Sequence, residues 1–440
     1  MDKKFLTGQA ILLAAGESSR FWPLSEKRHK SLIKIMGKSL IEWTIEAAAK
    51  AGIKDIIIIQ SPNTQIEKYL GDGGLFGVKL SYLVQKEAKG MGDAVMQAES
   101  LIKDSFFVLN PYNFNADKFL KLMIAKQKET KTEMVLLGAR TDKPWNYGML
   151  KLEKDKVLAI VEKPVPEEAP SDIKATNIYL LPKNFFSYYR RVKEHTYAYE
   201  DALALYMKEQ DARVVIASEG TPSLKYPWDL FKTNQLMMDA LIKKPKIAKN
   251  AKIAKNAKID GLVWIEENCV IFEHAVIKGP CYIGRGCTIG NNTLIRKYTN
   301  LEDGVIIGAN AEVTRSIFQA NSHTHSGYFG DSIIGENVRI GAGTITANVR
   351  TDRREIQPVV KGKKVETKLT ALGAIIGDGA HLGIAVNLMP GVLVGVNTKI
   401  GPNTLVRENV PSDTLCYTEF KNVVKKSVKP DKNNLNPGAR

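Results

Sequence analysis

The chain has 440 residues, of which 44% are hydrophobic and 25% are charged, a length that predicts about two or three domains with cores of their own. It carries 63 lysine and arginine residues against 47 aspartate and glutamate residues, for a net charge of +16. No segment approaches the roughly 18 consecutive apolar residues of a membrane span, and the four cysteines lack the CxxC spacing of a zinc site. The composition therefore excludes an integral membrane protein and a disulfide-rich secreted domain, and it favours the reducing cytoplasm.

The basic excess alone does not identify a nucleic-acid-binding protein. Residues 421–440 contribute +5 of it and are poor in apolar side chains, which predicts a frayed, basic C-terminal tail. A surface of this sign attracts nucleic acid, anionic membranes or phosphorylated small molecules. Because no zinc finger, RNP-type aromatic motif or helix-turn-helix accompanies the charge, we predict phosphorylated small molecules as partners, and neither nucleic acid nor a membrane.

Residues 1–243 alternate strand-like runs with helical stretches. The chain begins with basic residues and an apolar stretch that leads directly into a Gly/Ser turn, without the cleavage site of a signal peptide. The strand-like runs are AILLAAG, DIIIIQ, FFVLN and EMVLLGA, and helical patterns such as SLIEWTIEAAAKAG and DKFLKLMIAKQKE lie between them. This order predicts an α/β domain with a mostly parallel sheet and crossover helices.

A glycine- and serine-rich turn with basic residues follows the first predicted strand. Small residues allow backbone N–H groups to approach phosphates, and Arg20 and Lys30 supply positive charge. The segment LAAGESSRFWPLSEKRHKSL resembles the signature LAAGxGxRLxPLTxxxPKxL of the sugar-1-phosphate nucleotidylyltransferases, a Rossmann-like family. Ser18 replaces the second glycine of that signature, and His29 replaces the proline before the lysine.

Further segments of residues 8–240 match that family in the same order: Gln85 with KGMGDA (89–94), Tyr147-Gly148, VEKP (161–164) and Trp228-Asp229. The resemblance implies that a sugar-1-phosphate attacks the α-phosphorus of a nucleoside triphosphate. Arg20 and Lys30 are the implied catalytic residues, and Asp229 the implied Mg²⁺ ligand. The implied nucleotide-binding residues are Leu13, Ala14, Gly16, Arg20, Gln85 and Gly90, and the implied sugar-phosphate-binding residues of this domain are Gly148, Glu162 and Lys163.

One departure concerns the metal site. Where the family has a metal-binding Gly-Asp pair after the fourth strand, this chain has Pro111-Tyr112, and Asp117 falls in the next predicted helix. In addition, Ala175 stands at a position where the family has a sugar-contacting asparagine. Two interpretations stay open: a metal site built around Asp229 alone, or a domain that binds nucleotide without turning it over.

The second half contains a repeat of six residues. Its aliphatic positions are Ile247, Ile253, Ile259, Ile265, Ile271, Ile277, Ile283, Ile289, Ile295, Leu301, Ile307 and Val313, and the period returns at Ile334, Ile340, Ile376, Leu382, Leu388, Val394, Ile400 and Val406. A six-residue period does not fit a helix and predicts a coil of short parallel strands, three to a turn. We interpret residues 314–333 and 346–372 as loops that leave the coil.

Residues 321–348 and the later segment LGAIIGDGAHLGIAVNLMPGVLVG resemble the acetyltransferase half of a bifunctional family. Its members fuse an N-acetylglucosamine-1-phosphate uridylyltransferase to a glucosamine-1-phosphate acetyltransferase. The resemblance implies a left-handed parallel β-helix, a homotrimer, and acetyl-CoA as co-substrate. It assigns His325 as general base, Arg296 and Tyr328 to the sugar phosphate, and Ala342 and Asn348 to acetyl-CoA, whereas His323 has the wrong spacing.

This half also departs from its family. Arg339 replaces an asparagine, the lysine expected near position 314 is missing although Arg315 is adjacent, and Ala371 replaces another lysine. We predict a nucleotidylyltransferase domain over residues 1–243, an acetyltransferase coil over residues 246–420 and the tail, acting in nucleotide-sugar biosynthesis with UTP or dTTP. The alternatives are a non-catalytic regulator, such as the exchange-factor subunits with the same domain pair, and an acetyltransferase whose first domain is inactive.

Overall fold

The computed structural model describes residues 8–426 except residues 88, 196 and 219. Residues 427–440, most of the predicted tail, lie outside this range, as do residues 1–7. An α/β part comes first and a three-sided coil of short strands follows. The α/β part ends with a helix that stops at Leu241, and the coil begins with a strand at Lys246.

A nine-stranded sheet forms the centre of the α/β part. Its strands are β1 (Gln9–Ala14), β2 (Asp55–Gln60), β3 (Lys79–Val84), β4 (Phe106–Leu109), β5 (Met134–Arg140), β6 (Gly148–Glu153), β7 (Lys156–Glu162), β8 (Ile173–Leu181) and β9 (Ala212–Ile216). Their order is β3-β2-β1-β4-β8-β5-β9-β7-β6. Strands β1 to β4 are mutually parallel, β5 pairs in parallel with β9, and β8 runs antiparallel between β4 and β5. The predicted α/β domain with a mostly parallel sheet is confirmed.

The α/β part contains seven α-helices in the described residues. They are Leu40–Lys50, Gln65–Leu70, Met91–Gln97, Ala116–Thr130, Phe185–Arg190, Ala198–Glu209 and Asp229–Leu241, with 3-10 turns at Ser19–Phe21, Lys30–Leu32, Gly74–Phe76, Glu99–Leu101, Pro144–Asn146 and Pro166–Glu168. The first helix begins at a capping box, in which Ser39 and Glu42 each bond the other's backbone N–H group. Within the described ranges, no helix has both the length and the apolar character needed to cross a bilayer.

The chain order places a crevice at the carboxyl ends of β1 and β4. From β1 the chain builds outward through β2 and β3, and then returns to place β4 on the other side of β1. Open α/β sheets bind ligands at such a reversal of strand order. The loop after Ala14 and the loop after Leu109 therefore meet where a ligand would enter.

The second part is a left-handed parallel β-helix with three sheets, as predicted. The first coil sheet holds Lys246–Ile247, Val263–Ile265, Cys281–Ile283, Thr299–Leu301, Ile317–Phe318, Ile333–Ile334, Ile375–Ile376 and Leu393–Val394. The second holds Lys252–Ile253, Val270–Ile271, Thr288–Ile289, Ile306–Ile307, His323–Thr324, Arg339–Ile340, His381–Leu382, Lys399–Ile400 and Leu415–Cys416. The third holds Lys258–Asp260, Val276–Lys278, Leu294–Arg296, Ala311–Thr314, Gly327–Gly330, Thr344–Thr346, Asn387–Leu388 and Leu405–Val406. Most of the repeat aliphatics stack in register inside the coil and form its core.

Residues 314–333 do not leave the coil, so our interpretation of this segment as a loop was wrong. Phe318, Thr324 and Phe329 continue the interior columns, in register with Leu301, Ile307 and Val313 respectively. The repeat is hidden because several steps between interior positions are five residues long and because a threonine occupies one of them. Tighter corners shorten these turns without breaking the strand pairing.

The predicted loop over residues 346–372 is confirmed. The strand Ile333–Ile334 pairs directly with Ile375–Ile376, so the intervening chain adds no strand to the first coil sheet between them. After the strand Thr344–Thr346, the chain leaves the coil and forms a small antiparallel hairpin of Val359–Val360 and Lys363–Lys364.

The α/β part packs on the outer face of the first coil sheet. A short hairpin of Lys34–Ile35 and Lys38–Ser39 lies at this interface. Its backbone N–H groups donate to the coil: Lys34 to Gln319 Oε1 (3.2 Å), Met36 to Asn300 Oδ1 (3.0 Å) and Gly37 to Glu302 Oε2 (3.0 Å). Nearby, Arg28 pairs with both Glu336 and Asp378. The loop that leads to Lys30 is thus attached to the coil on both sides of that lysine.

The buried Glu302 makes this interface sensitive to pH. Burial, the largest cause, raises the pKa of Glu302 from 4.5 to about 7, although Asn300 and the Gly37 N–H group donate to its carboxylate. When folding raises the pKa of a carboxyl group, the group contributes its full share to the stability of the folded state below its unfolded pKa. This contribution is lost as the pH rises through its pKa in the folded state. The change in pKa corresponds to a decrease in the free energy of unfolding on the order of 3 kcal/mol between low and high pH.

We expect Glu302→Gln, which mimics the neutral carboxyl, to remove this pH dependence. Thermal unfolding of the full chain should give similar Tm values for variant and wild type at about pH 5, and a higher Tm for the variant at about pH 8. The exposed Glu267 provides a control as Glu267→Gln. A wild-type advantage at about pH 8 would show that the charged carboxylate stabilises the interface instead.

Candidate active sites

The loop after β1 forms one wall of the crevice. Ala14 is buried, Leu13 is half-buried, and a Cβ atom at Gly16 would point into open space. Ser18, at the second glycine position of the motif, adopts a left-handed conformation with φ of 55° and donates from its hydroxyl to the Gly16 carbonyl (3.3 Å). The open space at Gly16 leaves room for a phosphate beside this turn.

Lys30 lies at the bottom of the crevice. Its Nζ donates to the Leu224 carbonyl (2.7 Å) and sits 5.6 Å from the centre of the Tyr112 ring. Burial, and secondarily the charge of Arg20, lowers the pKa of Lys30 to about 8, while Asp229 opposes the shift. The ammonium group remains protonated at neutral pH but is poorly solvated, which favours binding of an anion.

His29, at the proline position of the motif, is a structural residue in this chain. It is buried, and its Nδ1 lies 2.7 Å from Ser31 Oγ. Burial and the neighbouring Lys30 lower the pKa of His29 to about 4, so the imidazole is neutral at physiological pH. The substitution therefore adds no positive charge beside Lys30.

Asp229 begins the last helix of the α/β part. Its Oδ2 accepts from the backbone N–H groups of Lys225 (2.6 Å) and Tyr226 (2.8 Å), which fixes the turn before the helix. Burial raises the pKa of Asp229, and the two backbone N–H groups and Lys30 oppose this shift. Arg20 stands over the Tyr226 ring, 5.9 Å from its centre, so the turn also positions an arginine.

Tyr112 takes the place of the metal-binding aspartate of the related motif. Its ring is buried against Lys30, and burial together with the charge of Asp229 raises the pKa of its hydroxyl. Among the described residues, no group of three or more His, Cys, Asp or Glu side chains is arranged to hold a metal ion. The chain thus offers Asp229 as a single carboxylate, which suits a Mg²⁺ ion only when phosphate oxygens complete the coordination.

Gln85 and Gly90 form the edge of the crevice beside β3. The buried Gln85 donates through Nε2 to the Gly90 carbonyl (3.2 Å) and to Asp93 Oδ2 (2.6 Å). Gly90 precedes the helix Met91–Gln97 with a φ of 107°, a conformation that favours glycine. These bonds join Gln85 to the start of the helix.

The β6–β7 hairpin and the start of β8 lie on the opposite side. Gly148 pairs with Glu162, and a Cβ atom at Gly148 would lie 2.9 Å from Glu162 Oε2, so a side chain there would displace that carboxylate. Lys163 Nζ lies 3.5 Å from Glu162 Oε1, and both side chains are exposed. The sequence analysis missed Lys174, whose ammonium sits 3.8 Å from the centre of the Tyr147 ring and whose pKa is lowered by burial.

The second candidate site lies on the coil. His325 is exposed, and its ring centre lies 5.0 Å from that of the half-buried His323. Both histidines line a cavity of about 210 Å³ together with Arg339 and His381. The structure therefore places the two histidines side by side and adds a cationic residue that the sequence motif marked only as a departure.

The remaining predicted residues of the coil do not line this cavity, although Ala342 directly follows its lining residue Gly341. Arg296 donates from Nε and Nη2 to Glu312 Oε1 (3.0 and 2.6 Å), on the third coil sheet, where Tyr328 is the neighbour of Glu312. Ala342 precedes the strand Thr344–Thr346, and Asn348 follows it and donates to Asp331 Oδ2 (2.6 Å). Ala342 and Asn348 thus lie at opposite edges of one face of the coil.

Comparisons with known proteins agree with this two-part organisation. Residues 9–230 match the family described as nucleotidyl transferase, and residues 262–297 match the bacterial transferase hexapeptide family, described as six repeats. The chain is 35% identical over 424 residues to the bifunctional protein GlmU of Methanococcus maripaludis, covering 95% of this chain and 99% of that protein.

It is also 33% identical over 410 residues to the bifunctional sugar-1-phosphate nucleotidylyltransferase/acetyltransferase of Sulfurisphaera tokodaii, covering 91% of this chain and 98% of that protein. A solved structure of a putative glucose-1-phosphate thymidylyltransferase from Bacillus anthracis superposes with a TM-score of 0.47 at 25% identity, covering 52% of this chain and 94% of that one. These two relatives, which the chain matches over nearly their whole length, are named as bifunctional proteins. This does not favour the alternative that the chain is a non-catalytic regulator.

Proposed function

We propose that the two parts of the chain catalyse two consecutive steps of nucleotide-sugar biosynthesis. The chain belongs to the family of bifunctional sugar-1-phosphate nucleotidylyltransferase/acetyltransferases, and this membership supports the proposal. The protein is an enzyme of the nucleotidyltransferase class. Its α/β part transfers a nucleotidyl group from UTP or dTTP to a sugar-1-phosphate. Its coil transfers acetyl from acetyl-CoA to an amino-sugar-1-phosphate. Family membership implies a divalent metal ion and acetyl-CoA in general terms, and we take the metal to be Mg²⁺.

The convergence of Lys30, Arg20 and Asp229 at the strand-order reversal is the observation that carries nucleotidyl transfer. In this reaction a phosphate oxygen of the sugar-1-phosphate bonds to the α-phosphorus as the bond to the β-phosphate oxygen breaks, and pyrophosphate leaves. Such a transfer depends on positioning and charge neutralisation rather than on a proton acceptor. Lys30, held by the Leu224 carbonyl, and Arg20, placed over Tyr226, are suited to hold the triphosphate oxygens.

Metal binding in this chain rests on Asp229. The fixed carboxylate, next to cationic Lys30 and a neutral phenol, would hold Mg²⁺ together with phosphate oxygens of the nucleotide. When bound, the ion supplies charge neutralisation at the phosphates. On the sugar side, Glu162 faces Gly148 and is suited to accept from sugar hydroxyls, and Lys163 is suited to hold the sugar phosphate.

In acetyl transfer, His325 is suited to take the proton from the amine. The amine nitrogen bonds to the acetyl carbon, the thioester carbon–sulfur bond breaks, and CoA leaves as the thiolate. His325 is exposed beside the cavity, and an imidazole is the side chain best matched to proton transfer near neutral pH. Three of the four cysteines are buried free thiols, which fits the reducing cytoplasm as the location.

We expect the protein to be a homotrimer whose acetyltransferase sites lie between chains. Ala342 and Asn348 occupy opposite edges of one face, so a single groove can include both positions only if neighbouring copies contribute one each. The outer side of the third coil sheet exposes Ile345 and Leu405 by 41% and 42%, an apolar surface that a neighbouring coil would cover. Light scattering should give three times the chain mass, whereas a stable monomer at micromolar concentration would contradict shared sites.

The two activities are tested together in one assay of the full chain. Pyrophosphate release is measured with UTP or dTTP, a panel of sugar-1-phosphates and Mg²⁺, and thiol release is measured with acetyl-CoA and glucosamine-1-phosphate. We expect both products. If no combination of nucleoside triphosphate and sugar-1-phosphate releases pyrophosphate, the α/β part is a binding domain and not a catalytic one. If no thiol is released, the coil is a trimerisation scaffold.

A further inference from the structure

A column of basic side chains runs along the outer face of the second coil sheet. His323, Arg339, His381 and Lys399 occupy the same register position on four neighbouring strands. Paired strands lie about 4.8 Å apart, and like charges directly opposite each other destabilise a sheet. Burial, followed by the charges of His325 and Arg339, lowers the pKa of His323, as expected when basic groups crowd together. The column thus presents two cationic side chains, Arg339 and Lys399, and two imidazoles on one face, and none of its four members is a carboxylate.

The cavity beside the column has the size and lining of a site for an anionic group. It measures about 210 Å³ and is lined by His323, His325, Arg339 and His381, with aliphatic and glycine residues between them and no carboxylate. Pockets that enclose a whole small molecule usually measure about 300–1,000 Å³. This cavity therefore suits one group of a larger ligand, next to the proposed general base.

The other arginines of the coil site are already paired with carboxylates. Arg296 forms two bonds with Glu312, and Arg315 forms two bonds with Asp331 (2.6 and 2.7 Å). By contrast, Arg339 donates to the backbone carbonyls of Asn321 (2.5 Å) and Val338 (3.4 Å), and it pairs with no carboxylate among the described residues. An incoming anion would have to displace an acid from Arg296 or Arg315, but not from Arg339.

We propose that Arg339, flanked by His323 and His381, forms a phosphate subsite of the acetyl-transfer reaction, in place of Arg296. The guanidinium fork binds phosphate oxygens in pairs, and the two imidazoles add hydrogen-bond donors on either side. The subsite rests on the proposed acetyl transfer, in which both the acceptor and the coenzyme carry phosphate. The residue that departs from the family motif thus becomes a specificity-determining residue for phosphate-bearing substrates.

Calorimetric titration of the full-length protein tests the subsite without turnover. Glucosamine-1-phosphate is compared with glucosamine, and CoA with pantetheine, which carries no phosphate. We expect Arg339→Gln to weaken the binding of a phosphate-bearing ligand by about tenfold or more and to leave its phosphate-free counterpart unchanged. Arg339→Lys should retain part of the affinity. Arg285→Gln, a control at an exposed corner of the coil that removes the same charge, should have no effect.

The two arms identify the source of the phosphate. A loss confined to glucosamine-1-phosphate assigns the subsite to the acceptor, and a loss for CoA but not for pantetheine assigns it to the coenzyme. Equal losses with and without phosphate, an equal loss in Arg285→Gln, unchanged binding in Arg339→Gln, or no binding by the wild type would each overturn the subsite.

The proposed function and the subsite fail in different ways. If the wild type binds the phosphate-bearing ligand through Arg339 but releases no thiol from acetyl-CoA, the acetyl-transfer proposal fails and the phosphate site stands. If the wild type transfers acetyl and Arg339→Gln binds both ligands as tightly as the wild type does, acetyl transfer stands and the phosphate site is overturned.

Discussion

Replacement of His325 by alanine should lower the turnover number for acetyl transfer by about 10²- to 10⁴-fold, which is the usual contribution of a general base. The exposed imidazole stands at the cavity where the proposed amine would react, and no carboxylate lines that cavity to take over the proton. Thiol release from acetyl-CoA with glucosamine-1-phosphate measures the effect. Pyrophosphate release by the same variant should equal that of the wild type, because the crevice residues do not contact His325.

Two other histidines make this prediction specific. His274→Ala changes an exposed histidine elsewhere on the coil, which bonds only Asn256 among the contacts described, and should leave acetyl transfer unchanged. His323→Ala should raise the KM for the phosphate-bearing substrate while kcat stays within a few-fold of the wild-type value. If kcat falls equally in His323→Ala and His325→Ala, the pair acts as a polar wall of the cavity and neither histidine is the base.

Replacement of Asp229 by asparagine should lower pyrophosphate release by about 10²-fold or more, since it removes the carboxylate that, in the described part of the chain, is placed to hold a metal ion in the crevice. The amide oxygen of asparagine can still accept from the N–H groups of Lys225 and Tyr226, so the turn and the helix should keep their shape. Circular dichroism and Tm should therefore match the wild type while activity is lost.

The control for Asp229 lies on the same helix. Asp239 accepts the Tyr298 hydroxyl through Oδ1 (2.9 Å) outside the crevice, and Asp239→Asn should retain full activity. A Mg²⁺ titration gives a second readout: in the Asp229→Asn variant, residual activity should require a higher Mg²⁺ concentration for its half-maximal value. Full activity of Asp229→Asn at low Mg²⁺ would place the metal elsewhere.

The architecture of the coil was predictable because every turn needs aliphatic side chains at the same interior positions. Each turn stacks aliphatic side chains over those of the previous turn, so the six-residue period appears directly in the sequence. Residues 314–333 escaped this pattern because the strand pairing tolerates five-residue corners and accepts Phe318, Thr324 and Phe329 inside. Register between strands is a long-range property that a fixed template does not detect when a corner loses one residue.

Motif spacing located the candidate residues of the first site, but their electrostatic surroundings depend on tertiary contacts. Tyr112 marked a missing aspartate, whereas the ring position against Lys30 and the effect of Asp229 on its hydroxyl follow only from packing. On the coil, the pairing of Arg296 with Glu312 joins residues on adjacent turns, which no local motif encodes. Likewise, tertiary contacts decide that Arg296 and Arg315 pair with carboxylates whereas Arg339 bonds backbone carbonyls.

The hydrogen bonds between the short hairpin of the α/β part and the coil have a consequence for how the two halves can be separated. An α/β part produced alone, ending between Leu241 and Lys246, would leave the backbone N–H groups of Lys34, Met36 and Gly37 without their acceptors. The separation would also expose apolar side chains that now share a core across the junction, among them Ile33, Ile35 and Tyr282. The two parts are therefore separate along the chain but share a core in the folded molecule. The coil supports the loop that carries Lys30, so the α/β part depends on the coil for the shape of its crevice.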